Sequence, residues 1–106
     1  MSRFMRMLVF FDLPVQTKAQ RKAATQFRSF LLSDGYYMVQ YSVYARVCNS
    51  YDTVDKHHAR LKAAIPNDGA IRLLVITEKQ YQQMELLLGK PAPEDKPMTE
   101  IQLELF

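Results

Sequence analysis

The chain has 106 residues, a formal net charge of +3, 48% hydrophobic residues and 24% charged residues. That suffices for one domain, leaves no room for a second core and is too apolar for wholesale disorder. The longest unbroken apolar run, Met7 to Phe11, falls far short of the about 20 residues of a membrane span, and the single Cys48 excludes an intrachain disulfide or a multi-cysteine zinc site.

In chain order, residues 4–11 (Phe-Met-Arg-Met-Leu-Val-Phe-Phe) are apolar on both faces apart from Arg6, the pattern of a central strand. Asp12-Leu-Pro14 ends it, because proline donates nothing to a ladder. Thr17-Lys-Ala-Gln20 is a capping box, so a helix follows to about Ser33 with Ala23, Ala24, Phe27, Phe30 and Leu31 inward. Lys18, Arg21, Lys22 and Arg28 fall on its other side. Asp34-Gly35 stops the helix.

Tyr36 to Cys48 reads as extended. With no Gly, Pro or Asn inside it, it is either one long strand or two strands with an unmarked corner near Gln40–Ser42. Asn49-Ser50 caps a second helix from Tyr51 to about Ile65, with Tyr51, Val54, His58, Leu61 and Ile65 as its apolar stripe. Asn67-Asp-Gly69 is a turn, and Ala70–Thr77 is a strand with Ile71, Leu73 and Val75 on one face. Glu78–Gln83 suggests a short helix, and Met84–Leu88 either helix or edge strand. The order predicts a two-layer α+β sandwich, and with the corner present a ferredoxin-like βαββαβ fold.

Three segments are expected: a ferredoxin-like domain over 1–90, a proline-rich linker over 91–97 and a tail strand over 98–106. In the tail, Ile101, Leu103 and Leu105 alternate with polar residues, so they are the candidate partner-binding positions. A free strand and a sheet face without helices both point to a symmetric homodimer. Neither a signal-peptide layout nor a membrane segment is expected, and the expected setting is reducing and cytoplasmic.

The charge is uneven. Residues 1–65 hold ten Lys/Arg against four Asp, whereas residues 66–106 hold four against seven acids. This asymmetry fits either a surface that meets a polyanion or ordinary solvated charge. Lys18, Arg21, Lys22, Arg28 and Arg46 are the candidate nucleic-acid-binding residues, with Arg3 and Arg6 as possible additions. Phosphate contacts of this kind are sequence-indifferent and salt-sensitive. Tyr36, Tyr37, Tyr41 and Tyr44 read as core or dimer contacts more readily than as base-stacking platforms.

Asp12 is the carboxylate placed for chemistry. At a strand end it is either a Mg²⁺ ligand or a cap for the turn into Leu13-Pro14. One carboxylate per chain is too few for a two-metal phosphodiesterase site, but a two-fold dimer can bring two copies of Asp12 together. His57 and His58 are adjacent on a helix and cannot act on one atom, and His58, in the stripe, reads as a packing residue. Cys48 reads as buried, and Ser42 lacks a nucleophile-elbow context.

Met7-Leu-Val-Phe-Phe-Asp12, the basic first helix, Asp34-Gly-Tyr-Tyr-Met-Val-Gln-Tyr-Ser-Val-Tyr-Ala-Arg46 and Gly69-Ala-Ile-Arg-Leu-Leu-Val-Ile-Thr77 resemble the CRISPR-associated protein 2 family, with type II members most similar. The resemblance implies a ferredoxin-like homodimer that bridges CRISPR integrase dimers and binds double-stranded DNA during spacer acquisition. It also implies that Asp12 holds Mg²⁺ as the catalytic residue of an endonuclease acting on RNA or DNA. Many members carry Tyr where this chain has Phe11. Competing expectations are a toxin-like RNase acting through paired Asp12 and a regulatory module with a small-ligand pocket.

Overall fold

Residues 4–95 are described in a computed structural model of the chain. Four strands form one antiparallel sheet in the order β2-β3-β1-β4. The elements are β1 (Met5–Asp12), α1 (Lys18–Ser33), β2 (Tyr37–Gln40), β3 (Val43–Cys48), α2 (Tyr51–Ala63), β4 (Ala70–Thr77) and α3 (Glu78–Gln82). The βαββαβ order with these neighbours is the ferredoxin-like arrangement. β1 lies in the middle, pairing with β4 from Met5↔Thr77 to Asp12↔Ala70 and with β3 from Met5↔Cys48 to Phe10↔Val43.

The central position follows from β1 being apolar on both faces. Met5, Met7, Val9 and Phe11 point into the main core with Phe27 and Leu31 of α1, Val54 and Leu61 of α2, and Tyr36, Tyr44 and Cys48. Leu8 points the other way, against Ala45 of β3 and Tyr81 of α3. α1 and α2 therefore cover one face, and α3 starts to cover the second. Ile71, Leu73 and Val75 of β4 pack on the main core, as their alternation predicts.

α1 opens with the predicted capping box: Gln20 N donates to Thr17 Oγ1 at 3.1 Å, and Thr17 N donates to Gln20 Oε1 at 3.0 Å. It ends at Asp34, after which Gly35 takes φ +90°. A side chain at Gly35 would be strained by that φ and would fall onto Arg46 Nη1. The stretch 36–48 is two strands, and the corner lies at Tyr41–Ser42. Ser42 adopts φ +64°, a left-handed conformation that usually announces itself as Gly or Asn. Phe11 N donates to Ser42 O at 3.1 Å and holds the corner against β1.

The inner face of α2 is Val54, His57 and Leu61; His58 and Tyr51 are exposed, and the helix stops at Ala63 with Ile65 exposed beyond it. This corrects three positions of the expected stripe, Tyr51, His58 and Ile65, and adds His57 to it. His57, rather than His58, turns inward, because an acid waits for it there. Met84–Leu88 forms neither helix nor strand. The segment read as a linker returns to the sheet as far as Asp95, where Tyr37 and Tyr81 hydroxyls donate to its carboxylate at 2.8 and 2.5 Å. Arg3, the tail strand and its partner-binding candidates Ile101, Leu103 and Leu105 lie outside the described residues.

Candidate nucleic-acid interface and carboxylate site

Asp12 ends β1 beyond the last β1–β3 pair, Phe10↔Val43, so β3 does not flank it. Alternation from the buried Phe11 puts it on the face opposite α1 and α2. It is exposed, at the rim of a shallow depression of about 240 Å³ lined by Phe10, Phe11, Ser42, Val43, Ala70 and Arg72. The turn before β4 presses against it: a Cβ at Gly69, where φ is +103°, would stand 2.6 Å from Asp12 O. Among the described residues no backbone N–H is capped by the Asp12 carboxylate, so the turn-capping alternative gains no support.

The basic candidates separate into three groups. Lys18, Arg21 and Lys22 are exposed on the first turns of α1. Arg21 also donates from Nη1 to the carbonyls of Val15 and Gln16 at 3.2 Å each, which ties down the loop that leads into the helix. Arg28 is half-buried further along, its guanidinium 5.7 Å from the ring centroids of both Phe11 and Tyr41. This places it at the Asp12 end of the sheet.

Arg46 is a correction. It alternates with Tyr44 and Cys48 on the helix-covered face, where Nη1 donates to the Asp34 carbonyl at 2.7 Å. It supports the end of α1, with Nη1 committed to that carbonyl and Nε buried without a partner. Arg6 is a second correction: it is fully buried, not a surface cation. Its Nε and Nη2 donate to the two Glu78 carboxylate oxygens at 2.6 and 3.0 Å, and Nη1 donates to Tyr37 Oη. The guanidinium also lies 4.4 Å from the Tyr81 ring centroid. Burial alone would lower the Arg6 pKa, but the bonds to Glu78 and the neighbouring tyrosines leave it raised. Burial and the bond to Asp95 push the Tyr81 hydroxyl up to about 12, and burial raises Tyr37 as well.

A second buried polar cluster joins α1, β3 and α2. His57 Nδ1 lies 2.7 Å from Asp34 Oδ2, and Arg60 Nη1 donates to Asp34 Oδ1 at 3.0 Å. Burial lowers the His57 pKa despite this bond to Asp34. The neutral ring then donates through Nδ1, leaving Nε2 buried without a partner. Burial raises the Cys48 pKa, which keeps the thiol protonated and unsuited to nucleophilic attack. Neither cluster opens onto the Asp12 depression.

Sequence patterning misses Arg72 and the Asp34–His57 pair, and it does not distinguish Tyr41 from the other tyrosines of its stretch. Arg72 sits two residues along β4 from the Asp12 partner Ala70, a placement that only register reveals. Tyr41 is 79% exposed, unlike Tyr36 and Tyr44, which are buried, and Tyr37, which is half-buried.

Fold and site together define a small ferredoxin-like protein with a basic helix and a solitary carboxylate at the end of its central strand. The family described as CRISPR associated protein Cas2 matches residues 5–84. A protein of Acidovorax ebreus named CRISPR-associated endoribonuclease Cas2 is 53% identical over 96% of this chain and 100% of its own length. One of the same name from Flavobacterium psychrophilum is 46% identical over 98% and 90%. The crystal structure of Streptococcus pyogenes Cas2 superimposes with a TM-score of 0.57 at 26% identity, covering 77% of this chain and 98% of that one. The chain belongs to the Cas2 family.

Proposed function

We propose that the chain acts in CRISPR spacer acquisition as a dimeric scaffold that holds double-stranded DNA and bridges integrase dimers. The observation that carries this reading is the position of Asp12 at the end of a sheet face where Phe10 and Leu74 stay 37% and 47% exposed. Joining two such faces about a two-fold axis removes apolar surface from water and gathers two carboxylates at one place. Lys18, Arg21 and Lys22 lie on the helix layer, away from that contact, free to meet phosphates.

The name shared by the relatives supports a second reading at the same place: metal-dependent endonuclease activity on RNA. The donor chemistry fits Mg²⁺, since Asp12 is an exposed oxygen ligand and Ser42 lines the same depression. Among the described residues no group of three His, Cys, Asp or Glu could hold a metal, so a metal at Asp12 would rely on water ligands or on the Asp12 of a second copy. When bound there, Mg²⁺ would polarise a phosphate oxygen and lower the pKa of a coordinated water. Arg72 lines the same depression as Asp12 and would orient a phosphate beside it.

Asp12→Asn separates the two readings. Scaffolding predicts that the variant still supports spacer integration, and the nuclease reading predicts that it loses RNA cleavage. If cleavage by purified protein is unchanged in the variant, Asp12 is not the catalytic residue. If integration is also lost while the dimer persists, the carboxylate has a part in integration that scaffolding does not explain.

A further inference from the structure

We infer that the groove between the start of α1 and the end of α2 is where the dimer docks its protein partner, and that it takes an amphipathic helix with apolar side chains on one face and carboxylates on its flanks. The inference rests on the bridging role proposed above and names the surface that performs it.

The groove has a volume of about 500 Å³. The buried Phe27 lies at its floor, Ala19 and Ala23 line the α1 side, and Ala63, Ala64 and Ile65 line the α2 side. Small residues on both walls let another helix approach closely, because the distance between packed helices follows the side chains at the contact. Ile65 is 52% exposed, an aliphatic side chain left on the wall of a concave surface. These are the features of a groove that receives the apolar face of a helix. Charge specifies the flanks of that helix. Lys62, beside Ala63 on α2, and Lys22, one turn from Ala19 on α1, are both exposed. Bases on the two rims complement carboxylates on either side of an apolar stripe. Among the described lining residues the only acid is Asp68, at the turn that leads into β4.

The position of the groove suits a bridge. It lies in the helix layer, on the side of the sheet away from Asp12, Phe10 and Leu74. Closing the sheet faces of two copies therefore leaves one groove per protomer outside the contact, and the two-fold axis makes the pair equivalent. Two identical partners can then be held at once. A phosphate backbone can meet Lys22 at the rim, but it offers nothing apolar to Ile65 and the alanines. A helix offers both an apolar stripe and charged flanks.

The test is titration of the full chain with its purified CRISPR integrase, followed by calorimetry. Ala63→Arg fills the groove from an exposed position at the end of α2, where a basic helix former suits the helix. It should weaken integrase binding by about tenfold or more, whereas Ala63→Ser, which leaves the groove open, should retain it within about twofold. Lys62→Glu should give a smaller loss that shrinks as salt is added. Solution mass, circular dichroism and duplex affinity should hold in the Ala63 variants. The inference is overturned if Ala63→Arg binds integrase like wild type, or if it changes the mass of the protein in solution, which would make the groove a contact between copies. It is also overturned if either Ala63→Arg or Lys62→Glu loses duplex binding with integrase binding intact, which would assign the groove to nucleic acid. Wild-type protein that does not bind integrase would overturn the bridging role itself, an outcome distinct from failure at the groove alone.

Discussion

His57 on α2 and Asp34 at the end of α1 are joined through Nδ1 and Oδ2 at 2.7 Å, inside the helix layer. Arg60 braces the same carboxylate from the surface, and Arg46 bonds the backbone carbonyl of the same residue. One aspartate therefore ties together α1, α2 and β3, the elements that carry the basic helix over the sheet.

This pair predicts a pH dependence. Burial lowers the folded-state pKa of His57 below its usual 6.5, so the unfolded chain takes up the proton first as pH falls. Stability should be full above about pH 7, decline through and below about 6.5, and recover when pH is raised. Thermal melts across this range should show the slope, at most about 1.4 kcal/mol per pH unit for one proton. His57→Gln should remove His57's share of that slope.

Asp12→Asn should leave the fold intact. The carboxylate is exposed and takes no partner among the described residues, so the change in unfolding free energy should stay within about 0.5 kcal/mol. Urea unfolding of the two proteins checks this. It also guards the cleavage assay against a trivial loss of structure.

The Arg6–Glu78 pair behaves differently. Glu78→Ala removes both carboxylate hydrogen bonds of a fully buried guanidinium, leaving Asp95 at 3.6 Å as a nearby acid, and should cost up to about 3–5 kcal/mol. Replacing both residues, as Arg6→Met with Glu78→Leu, should recover much of that loss. Denaturant unfolding of the single and double variants measures the coupling directly.

Reversing charge at Lys18 and Lys22 should weaken duplex binding and flatten its dependence on salt, by roughly 0.9 in log–log slope for each phosphate no longer neutralised. Titrations at several salt concentrations read both effects. Arg46→Gln should weaken the fold without altering that slope, because its guanidinium serves the Asp34 carbonyl.

Local chemistry is legible in the sequence. The Thr17/Gln20 capping box, the two-faced apolar run of β1 and the alternation of β4 each depend on neighbours a few residues apart, and each holds in the folded chain. The corner is half legible: a turn near Ser42 is implied by strand length, but nothing in a serine announces a positive φ. Arg6 and His57 escape patterning because their partners, Glu78 and Asp34, lie 72 and 23 residues away. A charge in a strand looks like a surface charge until its tertiary partner is known. Asp12 stands out in the sequence as the candidate carboxylate, whereas Arg72 and the exposed ring of Tyr41 become visible only from register and burial.

The central claim is that two copies join through the sheet face that carries Asp12, and a solution mass measurement tests it most directly. The full chain should run at twice its 12.4 kDa mass, and replacing the exposed Phe10 and Leu74 by Asp should shift it to the single-chain mass with its circular dichroism retained. A wild-type monomer at working concentration, or a dimer indifferent to those two substitutions, would contradict the account.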